Sequence, residues 1–272
     1  MSETPEQDPK KEPQTEEMKA YRGGWAEDFL VALMFLTRLP LRPSFHFDMK
    51  SLGKASRAFP LVGVITGGLA GTLFLLCYLA GLPPLVSALL ALGSQVLLTG
   101  ALHEDAIGDV ADGFGGGADR EKKLAIMRDS RVGSYAVVAL ILLIGIKAAT
   151  IASFSDPIGI FAILITAAAI SRGMMVWVMY LLPPARVDGL GHGAGQPELN
   201  ALLLATLVMI LIAIVALGPM DGAVALFAGI LGAGAMGLIA RRQIGGQTGD
   251  VLGAAQQISE VFILLALLIV RG

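Results

Sequence analysis

From Ala58 to Leu102 the chain carries no Asp, Glu, Lys, Arg or His. That is about twice the 20 residues a helix needs to cross the hydrocarbon of a bilayer. In lipid every backbone N–H and C=O must find its partner inside the protein, so such a stretch has to be helical. Gly81-Leu82-Pro83-Pro84 interrupts it in the middle, where proline lacks the N–H a helix interior requires and the residue before it is biased towards extended backbone. The segment therefore predicts a helical hairpin, about 59–81 and 84–102.

The rest of the chain extends this pattern. Hydrophobic residues make up 55% of it and charged residues only 15%, against about 25% charge in soluble domains. Further apolar segments at about 132–154, 158–182, 199–217, 222–240 and 252–270 bring the expected number of spans to about seven. Phe29 to Pro40 is apolar but short, and reads as a re-entrant or interfacial segment. The expected fold is all-α: a polytopic integral membrane helical bundle over residues 25–272. Residues 1–24 are rich in Glu, Pro, Lys and Gln and lack an apolar run; they predict a disordered polar tail that is not a cleaved signal peptide. A net charge of −2 gives no reason to expect nucleic-acid binding. The single cysteine, Cys77, allows no intrachain disulfide and implies no oxidising compartment.

Charge in the connections sets the orientation. Those near 82–84, 155–157 and 218–221 are short and hold no Lys or Arg, whereas the others hold Arg120, Lys122, Lys123, Arg128 and Arg131, then Arg186, then Arg241 and Arg242. Arg38, Arg42, Lys50, Lys54 and Arg57 precede the first hairpin. Positive charge marks the cytoplasmic side, so every polar, Gly-rich loop is expected to face the cytoplasm.

One of these loops contains His103-Glu104-Asp105-Ala106-Ile107-Gly108-Asp109-Val110-Ala111-Asp112-Gly113. Asp105, Asp109 and Asp112 are spaced i, i+4, i+7, which places them within roughly a 60° arc of a helix. Carboxylates held together repel one another, and a hard divalent cation such as Mg²⁺ relieves the repulsion. Phe114-Gly115-Gly116-Gly117 follows Gly113, and a helix is expected to end in that run because each glycine costs about 1 kcal/mol relative to alanine. A short helix restarts at Ala118-Asp119-Arg120 and ends near Asp129. Lys122, Arg128, Ser130 and Arg131 are candidate phosphate ligands; the alternative for the two arginines is headgroup anchoring.

Gly246-Gln247-Thr248-Gly249-Asp250 supplies a further carboxylate on the same membrane face, with Gln247 and Thr248 as neighbouring phosphate candidates; Thr248 or Asp250 could equally cap the final helix. Glu260 lies about 15 Å deeper on that helix. Lys147 and Arg172 fall inside spans, where charges face a protein interior or a water-filled cavity; Arg172 is placed to approach the site from below. His192 is a candidate substrate contact, though a lone loop histidine is usually neither ligand nor base.

Acidic ligands, glycine-rich loops and basic side chains on one face suit transfer of a phosphoryl-linked group. Asp109-x-x-Asp112-Gly113 partly resembles the CDP-alcohol phosphotransferases, whose motif continues Gly-x-x-Ala-Arg where this chain has Gly113-Phe114-Gly115-Gly116-Gly117. A closer resemblance runs from about residue 28 to the end. It rests on Phe35-Leu36-Thr37-Arg38-Leu39-Pro40, Phe59-Pro60-Leu61-Val62-Gly63, His103-x-Asp105-x-x-x-Asp109-x-x-Asp112-Gly113 and Ile126-Met127-Arg128-Asp129-Ser130-Arg131-Val132-Gly133. Ser171-Arg172-Gly173, Gly189-Leu190-Gly191 and Gly246-Gln247-Thr248-Gly249-Asp250-Val251-Leu252-Gly253-Ala254 complete it. In order and spacing these segments resemble the cobalamin synthase family, the adenosylcobinamide-GDP ribazoletransferases. The family usually reads His-Leu-Asp-Gly-Leu-Ala-Asp; here Glu104 replaces Leu and Ala106-Ile107-Gly108 replaces Gly-Leu-Ala, with all three aspartates kept. Glu104 is expected to add negative charge beside the site.

The resemblance implies a Mg²⁺-dependent transferase of vitamin B12 biosynthesis in the bacterial inner membrane, its active site facing the cytoplasm. Residues 25–272 would be the transmembrane catalytic domain. A ribose hydroxyl of α-ribazole, or of its 5′-phosphate, would attack adenosylcobinamide-GDP and release GMP. Asp105, Asp109, Asp112 and Asp250 would hold metal and carry catalysis; Arg128, Arg131, Ser130, Gln247, Thr248, Arg172 and Lys122 would bind substrate phosphate. Besides substrates and the lipid bilayer, the expected partners are further copies of the chain or other late cobalamin-pathway enzymes. The competing readings are another membrane phosphotransferase of the CDP-alcohol type and a non-enzymatic corrinoid transporter.

Overall fold

A computed structural model describes residues 19–187, 189 and 193–271. Helices α1 (Trp25–Leu36), α2 (Ser51–Ala55), α3 (Phe59–Leu79), α4 (Pro84–Thr99), α5 (Leu102–Gly116) and α6 (Arg120–Ile126) form the first half. Helices α7 (Ser134–Ala152), α8 (Gly159–Leu181), α9 (Leu199–Leu217), α10 (Pro219–Ile244) and α11 (Gly249–Arg271) form the second. Six helices are long and apolar enough to cross a membrane, counting α2 and α3 as one continuous rod. The hairpin partner α4 adds a seventh only when taken together with α5, which turns away from it by 91°. The expected spans and observed helices agree to within a few residues. At the rim, Leu97, Ile141, Leu207 and Phe227 are exposed, as side chains facing lipid should be.

The helix α8 is the most enclosed of the spans. It packs against α3 through Gly63, Gly67 and Gly71, three small residues spaced by four. A Cβ built on Gly67 would lie 2.7 Å from the Cα of Ile165, and one on Gly71 2.9 Å from the Cα of Phe161. Association of helices in lipid lacks a hydrophobic drive and depends on such close backbone contact.

The helix α1, at 12 residues, is too short to span. Its buried Asp28 receives a 2.5 Å hydrogen bond from Arg57 Nε and another from the Tyr21 hydroxyl. Arg57 also donates to the Gly23 carbonyl at 3.0 Å and lies over the Trp25 ring. Lys19–Ala20 pairs with Phe45–His46 in a two-residue parallel bridge. Residues 19–24 are thus tied to the bundle, and order begins before the boundary composition suggested; the expected tail otherwise falls on residues 1–18, outside the described residues.

The turn from α4 into α5 uses left-handed backbone at Gly100 (φ 67°) and Ala101 (φ 60°), the latter the one non-glycine with positive φ among the described residues. It directs α5 across one end of the bundle, against α7 and α11. The helix α5 ends in its glycine run, as expected, but only at Gly116, so that Gly113, Phe114 and Gly115 are still helical. The reason is packing: a Cβ at Gly113 would meet Met127, and one at Gly115 would sit 2.8 Å from the Tyr135 ring. These glycines let the chain after α6 and the first turn of α7 lie directly on α5. That contact outweighs their poor helix propensity.

Candidate active site

The acidic face of α5 lies where four chain segments meet. Asp105 is exposed, Asp109 and Asp112 half-buried. Asp112 accepts hydrogen bonds from the backbone N–H of Gly133 (2.6 Å) and Ala136 (3.0 Å), so both its oxygens cap the start of α7. Gly133, the N-cap residue, has no side chain to do this.

Asp250 arrives from the first turn of α11. Its approach is fixed by a parallel bridge between the chain after α8 and the chain after α10. Ala185 N–H donates to the Gln247 carbonyl, and Gln247 N–H to the Pro183 carbonyl, both at 2.8 Å. Arg120 reinforces the joint, donating from Nε to the Ile244 carbonyl at 2.9 Å and from Nη2 to the Ala185 carbonyl. The bridge delivers Arg186 to Asp250, with Nη2 to Oδ2 at 3.0 Å. The Thr248 hydroxyl donates to the same carboxylate at 3.2 Å and accepts from Val251 N–H at 3.3 Å. Thr248 is thereby both a helix cap and a support for Asp250.

Asp109 feels this arrangement most. Burial, then the charges of Asp105, Asp250 and Asp112, push its carboxyl up to about 7, with Arg186 opposing. The four acids brought together are those expected from the sequence. Among the described residues, however, no three His, Cys, Asp or Glu side chains converge into a ready-made metal cage. Asp112 is engaged by α7, and Asp250 by Arg186.

The candidate phosphate ligands divide. Lys122, Arg128, Ser130 and Arg131 are exposed along α6 and the link to α7. Arg131 clasps Asp129 at 2.5 Å, which holds the Asp129 carboxyl down at about 2. Gln247 and Thr248 are buried in the bridge. Arg172 does not join the acidic face: it is buried in α8, donates to its own-helix Ala168 carbonyl at 3.1 Å, and faces Glu260 and Glu104.

Those groups belong to a separate polar layer inside the bundle. Lys147 Nζ lies 3.2 Å from Glu260 Oε1 and 3.1 Å from Gln257 Oε1. Gln257 donates to Glu104 Oε1 at 2.8 Å, and Gln256 to Glu260 Oε2 at 2.6 Å and to Ser171 Oγ at 2.9 Å. Sequence reasoning placed Lys147, Arg172 and Glu260 inside the bundle but did not pair them, and it missed Arg186 as the partner of Asp250. The basic-loop count noted Arg186 only for orientation, and no periodicity links two loops 64 residues apart. His192 lies outside the described residues.

Comparison with known proteins bears on what this arrangement does. No solved structure matches the chain. An adenosylcobinamide-GDP ribazoletransferase of Rhizobium etli (strain CIAT 652) is 44% identical over 253 residues, covering 89% of this chain and 96% of that protein. Proteins of the same name from Mesorhizobium japonicum and Bradyrhizobium diazoefficiens are 43% and 41% identical, each covering 88% of this chain and 92% of the relative. The family model described as cobalamin-5-phosphate synthase matches residues 28–268, so nearly the whole bundle and all four clustered acids lie inside the match, and the chain belongs to that family.

Proposed function

We propose that the chain joins adenosylcobinamide-GDP to α-ribazole or its 5′-phosphate and releases GMP, with Mg²⁺ held at the Asp105–Asp109–Asp112–Asp250 face. The observation that carries this reading is the convergence of Asp105, Asp109 and Asp112 of α5 with Asp250 of α11, with Arg186 paired to Asp250; burial and then the neighbouring carboxylates raise the Asp109 carboxyl, in keeping with it. Hard oxygen donors and unbalanced negative charge fit a hard divalent cation. The lack of a closed cage is consistent with it, because Mg²⁺ is usually held by one or two carboxylates plus substrate phosphates and waters. Asp105 and Asp109, which no hydrogen bond ties elsewhere among the described residues, would be the first ligands.

Bound there, the cation would neutralise pyrophosphate charge and favour departure of GMP. Arg186 lies beside the carboxylates and can turn to an entering phosphate, while Lys122, Arg128 and Arg131 supply positive charge along the approach. The acceptor's ribose hydroxyl attacks the corrinoid-side phosphorus, the bond to the GMP oxygen breaks, and a carboxylate of the cluster takes the hydroxyl proton. Positive charge on the connections at this end of the bundle supports a cytoplasmic site in the bacterial inner membrane.

Purified protein given both substrates and Mg²⁺ is expected to release GMP, and a chelator or Asp109→Asn to abolish release. Release of CMP or UMP from other donors in place of GMP would favour a different phosphotransferase; normal turnover by Asp109→Asn would sink the metal assignment.

A further inference from the structure

A groove of about 610 Å³ runs between α8, α9 and α10 and includes none of the clustered acids. Leu226, Ile230, Gly234, Leu238 and Arg241 line it from α10, and their spacing of three or four keeps them on one side of that helix. From Leu226 to Leu238 the stripe rises about 18 Å, close to half of the roughly 30 Å hydrocarbon core of a bilayer. Ile230 and Leu238 are exposed, and a Cβ built on Gly234 would meet nothing within 4 Å. The groove therefore opens sideways, towards lipid.

The chemistry of the lining narrows the occupant. Besides Arg241, the polar side chains of the walls among the described residues are Trp177 of α8 and Thr206 of α9. Trp177 Nε1 donates to Thr206 Oγ1 at 3.0 Å, and the Thr206 hydroxyl donates to the Leu202 carbonyl at 2.8 Å. Both are thus satisfied within the protein. A nucleotide or an amide-rich substrate lying there would leave its own polar edges without partners, whereas an acyl chain has none to satisfy. Arg241 stands in the last turn of α10, exposed and in no ion pair among the described residues. Basic pockets between the ends of spanning helices bind anionic lipid headgroups. The groove is apolar over the depth of one leaflet and cationic at its end, which is the pattern of an anionic amphiphile.

We propose that this groove binds an acyl chain of an anionic phospholipid whose negative headgroup is held by Arg241. The site is independent of the transfer reaction above. Leu182 and Gly237 also line the groove, so the lipid lies against the ends of α8 and α10. Those are the ends joined by the bridge between Ala185 and Gln247, and the lipid braces the joint that carries Arg186 to Asp250.

Trp177 makes the site readable, because the chain has only one other tryptophan, Trp25. Trp25→Phe keeps a ring beneath Arg57 and leaves Trp177 as the sole indole. The full-length Trp25→Phe protein is placed in phosphatidylcholine nanodiscs containing a minor fraction of lipid brominated in its acyl chains, phosphatidylglycerol in one series and phosphatidylcholine in the other. Brominated phosphatidylglycerol is expected to quench Trp177 at about fivefold lower mole fraction, the factor that one cation near the headgroups supplies. Arg241→Gln should remove this difference. Arg242→Gln, the adjacent arginine outside the groove, should leave it. Gly234→Phe fills the groove from its open side and should weaken quenching by both lipids. Equal quenching by the two lipids in the Trp25→Phe protein overturns the site in favour of bulk lipid contact, as does quenching that Gly234→Phe leaves unchanged. An Arg242→Gln effect as large as that of Arg241→Gln overturns it in favour of general surface charge. Quenching by neither lipid, with a particle mass of two chains, overturns it in favour of a second copy of the protein.

Discussion

Asp112→Asn separates two roles of one residue, the metal ligand that the spacing predicts and the helix cap that the structure shows. By spacing, Asp112 is a metal ligand; in the structure both its oxygens are occupied by the first turn of α7, at 2.6 and 3.0 Å. A hydrogen bond to a charged group contributes about 1.5–3 kcal/mol net. Asparagine keeps one acceptor oxygen but turns an NH₂ towards the other N–H, and it removes a negative charge that favours a helix N-terminus by about 0.3–1 kcal/mol. The expected loss is about 3 kcal/mol, or roughly 6–12 °C in Tm at 2–4 °C per kcal/mol. Asp109 has no such bonds, and its carboxyl is held near its neighbours against repulsion. Asp109→Asn should therefore abolish GMP release with Tm unchanged or raised, whereas Asp112→Asn should lose both. Thermal unfolding in detergent, followed by tryptophan fluorescence, gives one quantity and GMP release the other. An Asp112→Asn protein as stable as the unaltered one refutes the capping argument, and makes Asp112 a ligand first.

Three further outcomes follow from the packing and the charges. Native Asp109 keeps its proton to about pH 7 while an unfolded aspartate loses it near 4, so the native state binds more protons in that window and stability falls through this group as pH rises; in metal-free protein the Tm–pH curve of Asp109→Asn should be flatter between about pH 4 and 7, and parallel curves contradict this. Gly67→Leu forces a side chain against the α8 backbone, where even a Cβ would be 2.7 Å from Ile165 Cα, whereas Gly68 has nothing nearer than 3.9 Å; Gly67→Leu should cost about 1–3 kcal/mol or more by overpacking and Gly68→Leu little, and equal Tm values would show that the helices do not meet there. Glu260→Gln leaves Lys147 and Arg172 facing Glu104 alone and should cost about 3–5 kcal/mol; adding Lys147→Met restores charge balance and should recover part of that loss, and a double variant less stable than the single one refutes the pairing.

The spans were legible because their signal is additive. Twenty apolar residues between charged connections leave few alternatives, and the Gly81–Pro84 break has a local cause. The spacing of Asp105, Asp109 and Asp112 was likewise local, and the structure keeps all three on one helix. What eluded the sequence was set by contacts between distant segments. The glycines of α5 read as a helix breaker because propensity sees only their missing side chains, not Met127 and Tyr135 filling the space. Arg172 read as a site residue because its depth along the span was judged without the partners that hold it, Glu260 and Glu104. Arg186 signalled only orientation, since its place beside Asp250 comes from a bridge between the ends of two helices. The Gly63–Gly67–Gly71 stripe was in principle readable, being a spacing of four in an apolar segment.

The two sets of charges in this bundle differ in a way that explains Glu104. Inside, Lys147 and Arg172 face Glu260 and Glu104, two cations against two carboxylates, joined through Gln257 and Gln256. Balance is needed there because a buried charge without a partner is strongly destabilising. At the end of the bundle Asp105, Asp109, Asp112 and Asp250 gather, and Arg186 is the cation that pairs with Asp250 and faces Asp109 among the described residues. The helix α5 serves both sets, presenting Glu104 to the interior and the aspartates to the open end, because positions one residue apart lie about 100° apart around a helix. The Glu104 carboxylate is bonded by Gln257 on the interior side. The expectation that it would add to the field of the metal site therefore gives way to another role, which is to complete the neutralisation of Lys147 and Arg172. A charge-balanced interior leaves the acids at the end of the bundle without a competing field beneath them, which favours the cation proposed there.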